Sequence, residues 1–233
     1  MPDLASGLVY YVAFLFSVTV HEAAHAWAAM RGGDLTAYHG GQVSLNPLPH
    51  IRREPIGMVV LPLIGVLLSG WPLGFASAPY DPSWARRFPR RAAWMALAGP
   101  GANFVLVLLA FLAIRIGAAA GVFYPPESVS FDHLAGTDGA GLWPAVAFMV
   151  SVIFSLNLLL AVLNLIPLPP LDGSAAIPLF LSPAATIRYQ DFLWANRGLG
   201  LFGIFIAWKL FDQLFDPVFV LAINLLFPGV TYS

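Results

Sequence analysis

Residues 21–25 read His21-Glu22-Ala23-Ala24-His25, and that spacing is the strongest chemical signal in the chain. Residues four apart share one face of a helix. Both imidazoles therefore reach a single tetrahedral zinc, at Zn–N distances of about 2.0–2.1 Å. Glu22 projects from the neighbouring position, beside the open side of such a metal. There it can take a proton from water and hand it to a leaving amine. The chemistry expected is metal-assisted hydrolysis of a peptide bond, with one zinc per chain.

Catalytic zinc has three protein ligands and one open position. The chain has no cysteine, so the third ligand must be His, Asp or Glu. Asp172 is the best candidate. It closes the run Asn164-Leu-Ile-Pro-Leu-Pro-Pro-Leu-Asp172-Gly173, in which prolines end a helix and glycine permits a tight turn. The competing reading makes Asp172 an ordinary helix N-cap.

These residues are set in a chain built for lipid. Of 233 residues, 59% are hydrophobic and only 10% charged, against about a quarter charged in a soluble domain. A formal net charge of −1 gives no reason to expect nucleic acid. A spanning helix needs about 20 mostly apolar residues. Spans are predicted at residues 7–30, 92–122, 142–165 and 198–227, in one integral-membrane domain covering 1–233. The first carries His21, Glu22 and His25 near its C-terminal end, where ionisable groups are costly unless they have a function. The second has a Gly99-Pro100 break near its start. In the last, Lys209, Asp212, Asp216 and Pro217 interrupt the apolar run. That segment reads as one span followed by an interfacial piece, or as a broken helix.

Residues 56–79 are apolar enough to span but are broken by Pro62, Gly65, Gly70, Pro72 and Gly74. Arg52 and Arg53 precede them, and Arg86, Arg87, Arg90 and Arg91 follow. Arginines favour the cytoplasmic side of short loops. Both clusters are cytoplasmic only if the segment enters and leaves by one face. A re-entrant segment is predicted, its broken backbone shielded by protein. The same parity brings the exits of the first and third spans to one side, so His21, His25 and Asp172 can share a metal. Residues 39–47 hold glycines, then alternation, then Asn46-Pro47, and predict a short β-hairpin.

Three motifs, in order, resemble the site-2 proteases, which are intramembrane zinc metalloproteases. His21 to His25 matches the family's HExxH. Ala98-Gly-Pro-Gly-Ala-Asn103 resembles its AGPxxN helix. Asn164 to Gly173 matches its NxxPxPxLDG pattern at every fixed position. Residues 41–50 also look like the stretch after the active helix in small members. The resemblance implies an all-α polytopic membrane protein with a three-helix catalytic core around zinc, joined by further transmembrane or re-entrant helices. It implies His21, His25 and Asp172 as ligands and Glu22 as the base. It also implies that Asn164 stabilises the oxyanion or positions substrate; an amide donor suits that task, and an interhelical hydrogen bond is the alternative. Substrates would be single-span membrane proteins, cleaved within the bilayer. The expected setting is a prokaryotic plasma membrane, with the site opening toward the cytoplasm. The extra N-terminal span, PDZ and CBS domains of other members are not expected.

The remaining signals have plainer readings. Gly99, Pro100 and Asn103 are expected to shape helix packing near the zinc. An edge at Val43 to Leu45 would suit pairing with unwound substrate. His39 and His50 read as loop or interfacial residues, and Arg86 to Arg91 as an anchor on anionic headgroups. Trp71, Trp84, Trp94 and Trp143 read as an interfacial belt, and Asp212 and Asp216 as surface charges past a helix end. Two rivals to the protease reading are a membrane metal transporter, which needs more than one intramembrane ligand cluster, and an inactive homologue that binds membrane proteins.

Overall fold

The computed structural model describes residues 4–196 and 198–232, and it is helical almost throughout. Among the described residues three helices are long and apolar enough to cross a bilayer: α1 (Leu4–Gly32), α6 (Pro89–Ala119) and α7 (Trp143–Leu165). The short helices between them are α2 (Thr36–His39), α3 (Pro47–Arg53), α4 (Leu61–Ser69) and α5 (Pro82–Arg87). Beyond α7 come α8 (Asp172–Ala176), α9 (Pro183–Ala195) and α10 (Leu199–Asn224). The chain is a multi-pass membrane protein. At about 1.5 Å per residue, the 31 residues of α6 reach well past the roughly 30 Å hydrocarbon layer.

α1, α6 and α7 pack on one another as a three-helix core. One apolar cluster, with Phe154, Ile114 and Leu134 at its centre, joins α6, α7 and α10 under the loop between α6 and α7. A second, around Phe14, Met58 and Val152, joins α1 to α7 and to the segment before α4. Small residues permit the close approaches. Ala13, Ala26, Ala29 and Ala93 are buried, as helices packing in lipid require.

Residues 56–80 go out and come back. One π-helical turn (Ile56–Val60) leads into α4, which ends at Gly70 in a left-handed conformation (φ 76°). The chain then returns extended through residues 72–80. The Phe75 amide donates to the Gly57 carbonyl at 3.1 Å, so the two legs lie side by side. At the tip, Trp71 meets Tyr10 of α1 and Phe131 of the α6–α7 loop. At the base, Ser77 Oγ donates to Glu54 and Arg53 Nε donates to the Ser77 carbonyl. Both ends of the segment thus lie at the C-terminal end of α1. There Asp34 accepts from the Asp81 amide, while Trp84 and Arg91 donate to the Gly32 carbonyl.

Several sequence expectations give way here. No hairpin forms over 39–47; among the described residues the only β-pairing is two isolated bridges in the α6–α7 loop. The Asn46-Pro47 signal is instead a helix start. The Asn46 side chain accepts from the Leu48 amide, and Pro47 takes the first helical position, where its missing N–H costs nothing. Val43 to Leu45 accordingly has no partner strand. α6 runs unbroken through Pro100, and α10 runs unbroken through Pro217, so the last segment is one helix. Asp212 and Asp216 lie inside that helix and not past its end. His50 is 1% exposed, with Nε2 bonded to the Ser44 carbonyl, so it is a buried tie and not an interfacial residue; His39 is exposed on α2. Trp84 is also buried, under the end of α1.

Candidate metal centre

The ligand helix sets two donors by itself. His21 and His25 lie one turn apart on the buried face of α1, with their Nε2 atoms 2.9 Å apart. Asp172 arrives from the far end of the chain. After α7 ends at Leu165, the proline-rich turn folds back and presents Asp172 as the first residue of α8. Gly173 makes that possible, because a Cβ there would collide with the Leu165 and Ile166 carbonyls. The N-cap position belongs to Leu171, not Asp172. Asp172 Oδ2 lies 3.1 Å from His21 Nε2 and 3.3 Å from His25 Nε2. Tetrahedral ligands at about 2.0–2.1 Å from zinc stand about 3.3 Å from each other. The three atoms approximate that face, slightly contracted.

The outer nitrogens fix which lone pairs point inward. His25 Nδ1 sits 2.8 Å from the Met95 carbonyl, which can only accept, so Nδ1 carries a proton and Nε2 is the nitrogen turned to the site. His21 Nδ1 sits 2.5 Å from Asn103 Oδ1. That amide is oriented by a relay of buried partners. Asn157 Nδ2 donates to the Ile153 carbonyl and to Ser17 Oγ, at 2.8 and 2.9 Å. Asn157 therefore offers Oδ1 to Asn103 Nδ2, at 2.8 Å, and Asn103 must turn its own Oδ1 to His21. Both Nε2 atoms face each other and a carboxylate while each imidazole uses its outer nitrogen on a buried acceptor, the arrangement of histidines able to hold a metal ion.

Glu22 is 5% exposed, and its Oε2 has no hydrogen-bond partner. An unpaired buried carboxylate oxygen is expensive, and here it borders a cavity of about 730 Å³ that also touches His21, His25 and Asp172. The extended leg, from Gly74 to Ala78, forms one wall, with Phe14, Val18 and Met95 also lining the space. Asn164 lies on the cavity too, its Nδ2 donating to the Leu160 carbonyl at 3.0 Å. Gly99 is placed so that any Cβ would fall on the Nε2 atoms of both histidines.

The structure thus brings together His21, Glu22, His25 and Asp172, with Asn164 on the shared cavity. His39 and His50 are not among the metal-competent group found among the described residues. Packing alone does not account for Gly99 and Asn103: the first leaves the space at the two Nε2 atoms clear, and the second bonds His21. Sequence reasoning passed over Asn157, Ser17 and the extended leg. The available signal was an asparagine and serines inside otherwise apolar spans.

Fold and donors together define a site able to hold a metal ion inside a multi-pass membrane protein. The chain is 28% identical to the "Putative zinc metalloprotease YwhC" of Bacillus subtilis, over 89% of its own length and 92% of that protein. It is 34% identical to the "Putative zinc metalloprotease Rip2" of Mycobacterium tuberculosis over 73% of its length, and 31% to that of Mycolicibacterium smegmatis. The match spans 56% of the Rip2 proteins' own length. No family model matches, and no solved structure is significantly similar. The chain is thus similar over most of its length to proteins named as putative zinc metalloproteases.

Proposed function

We propose that the protein is a zinc endopeptidase that cleaves membrane proteins within or near their spanning segments. The observation that supports this most directly is the orphaned Glu22 carboxylate oxygen beside three converging donor side chains on one cavity. His21, His25 and Asp172 would hold zinc, which supplies a Lewis acid for the scissile carbonyl and acidifies a water. Glu22 accepts the proton of the attacking water and delivers it to the leaving amine. Asn164 directs its amide toward the carbonyl oxygen as charge develops there. The apolar walls admit a hydrophobic segment and limit bulk water.

The substrate class in this reading is a single-span membrane protein. The site opens toward the cytoplasm, at the end of α1 where Arg52, Arg53, Arg86, Arg87, Arg90 and Arg91 gather. Arginine bias toward the cytoplasm supports that orientation, and a prokaryotic plasma membrane is the proposed location. A transporter reading finds no support: among the described residues there is one metal-competent cluster, and the relatives carry protease names. An inactive binding homologue is disfavoured by an intact Glu22.

The test is zinc stoichiometry together with cleavage of a model transmembrane substrate by the wild type and by Glu22→Gln. The reading expects retained zinc with cleavage reduced by about 10²–10⁴-fold. Unaltered cleavage by the variant removes Glu22 from the role given to it.

A further inference from the structure

α10 carries four polar side chains in its middle that form no hydrogen bond or ion pair among the described residues. Its first turns pack Gly203 against the Pro169 carbonyl, near the Asp172 turn. Its far end is tied to the opposite side, where Asn224 bonds Tyr232, Tyr232 Oη donates to the Pro126 carbonyl, and Arg115 donates to the Leu226 carbonyl. α10 therefore runs the full depth of the core, antiparallel to α7. Lys209 lies about 15 Å from its start and Asp216 about 12 Å from its end, at 1.5 Å per residue.

Lys209, Asp212, Gln213 and Asp216 fall on one face of α10, all exposed. The opposite face, with Gly203, Ala207 and Phe215, is the one buried against the protein. Around the polar residues the helix shows only large apolar groups, with Phe205 56% and Trp208 72% exposed. The Lys209 ammonium leans back over those two rings, at 5.9 and 5.7 Å from their centroids, away from Asp212. Ionisable groups in spanning helices face a protein interior or a partner, because lipid solvates them poorly.

We infer that α10 also crosses the bilayer beside the three apolar spans, and that this stripe is the contact through which two copies of the chain pair, α10 against α10. The stripe is self-complementary. Its donors, Lys209 and Gln213, are four residues apart, and so are its acceptors, Asp212 and Asp216. Each acceptor stands three residues beyond a donor. A two-fold axis along the membrane normal sets the two α10 helices parallel. Lys209 of each copy then reaches Asp212 of the other, and Gln213 reaches Asp216, so one patch serves both sides. Interhelical polar pairs of this kind hold spanning helices together. A foreign helix would need a matching ladder of its own; a second copy brings it already.

The chain has no cysteine, so single introduced thiols report the contact cleanly. The full chain is reconstituted in lipid vesicles at high lipid-to-protein ratio and oxidised. Phe205→Cys, on the polar face, is expected to give a disulfide-linked dimer. Leu214→Cys, exposed on the other side of α10, is not. On the Phe205→Cys background, Asp212→Lys should lower cross-linking by about tenfold. Adding Lys209→Asp should restore it, and the melting temperature of each variant monitors folding. Asp212→Asn gives the same test with a smaller change. Equal cross-linking at both faces, no cross-linking at Phe205→Cys, or failure of the exchanged pair to recover would overturn the inference. Capture of a different membrane helix on this face would overturn it as well.

Discussion

Replacing Asn103 by leucine tests how far the metal centre depends on a residue that touches no metal. Asn103 is fully buried and serves two partners, accepting from His21 Nδ1 and donating to Asn157 Oδ1. Leucine has the same branching and number of heavy atoms, though its methyl groups are bulkier, and it bonds neither. His21 Nδ1 loses its acceptor, and the imidazole is free to turn or to move its proton to Nε2, where it would block metal binding. Loss of such an outer partner weakens metal affinity by about 10–100-fold. Stability falls as well. Two buried polar atoms are left unpaired, at about 1–3 kcal/mol each, giving a loss of about 2–6 kcal/mol. The assay is zinc affinity by chelator competition on the purified protein, with unfolding followed separately in the zinc-free form. Asn157→Leu should show the same trend more weakly on zinc, being one bond further away. Zinc affinity within twofold of wild type in Asn103→Leu would refute the relay, whatever happened to stability.

Other outcomes follow from the same geometry. Gly99→Ala places a methyl on both Nε2 atoms and should abolish stoichiometric zinc while leaving all three ligands in place; metal analysis decides it. Gly173→Ala pushes the Asp172 turn away from the end of α7, and zinc affinity should fall although no ligand changes. Asp172→Ala should weaken zinc binding further than Gly173→Ala, and undiminished affinity would mean the third ligand lies elsewhere. On the opposite face of the protein, burial works against ionisation of Asp132, but hydrogen bonds from Tyr10 and Ser130 outweigh it and hold its carboxyl below the usual range. A depressed folded value means a stabilising contribution that is full above the ordinary carboxyl range and lost as pH falls from there through the lowered folded value. Tyr10→Phe should therefore flatten the acid limb of a melting-temperature profile and leave the region near neutrality less affected in slope.

Local periodicity determined part of this protein before any tertiary structure existed. A four-residue spacing on a helix forces His21 and His25 together whatever surrounds them. Apolar length alone marks α1, α6 and α7. The prolines and glycine around Asp172 mark a turn that cannot continue α7. Glu22, flanked by the two histidines, follows from the same helix. Even the out-and-back path of residues 56–80 has its mark in the sequence, as glycines and prolines that a lipid-exposed span would not tolerate. Residues 39–47 show the limit of such reading: alternation suggested pairing, but Asn46 and Pro47 satisfy a helix start locally, and no neighbouring strand was on offer.

Only the tertiary structure decided which buried groups meet. Asn103 and Asn157 are 54 residues apart, and Asn157 and Ser17 are 140 apart, so no local rule links them. Gly99 looks like a packing residue until two imidazoles from another helix are found beside it. The same holds for α10. Its sequence shows charges interrupting an apolar run, and only the fold sets those charges in the middle of one helix, on the face turned away from the protein. Hydrogen-bonded periodicity is a property of a few consecutive residues and is legible along the chain. The mates of a buried polar atom are chosen by helices packing across the core, and that choice is made in three dimensions.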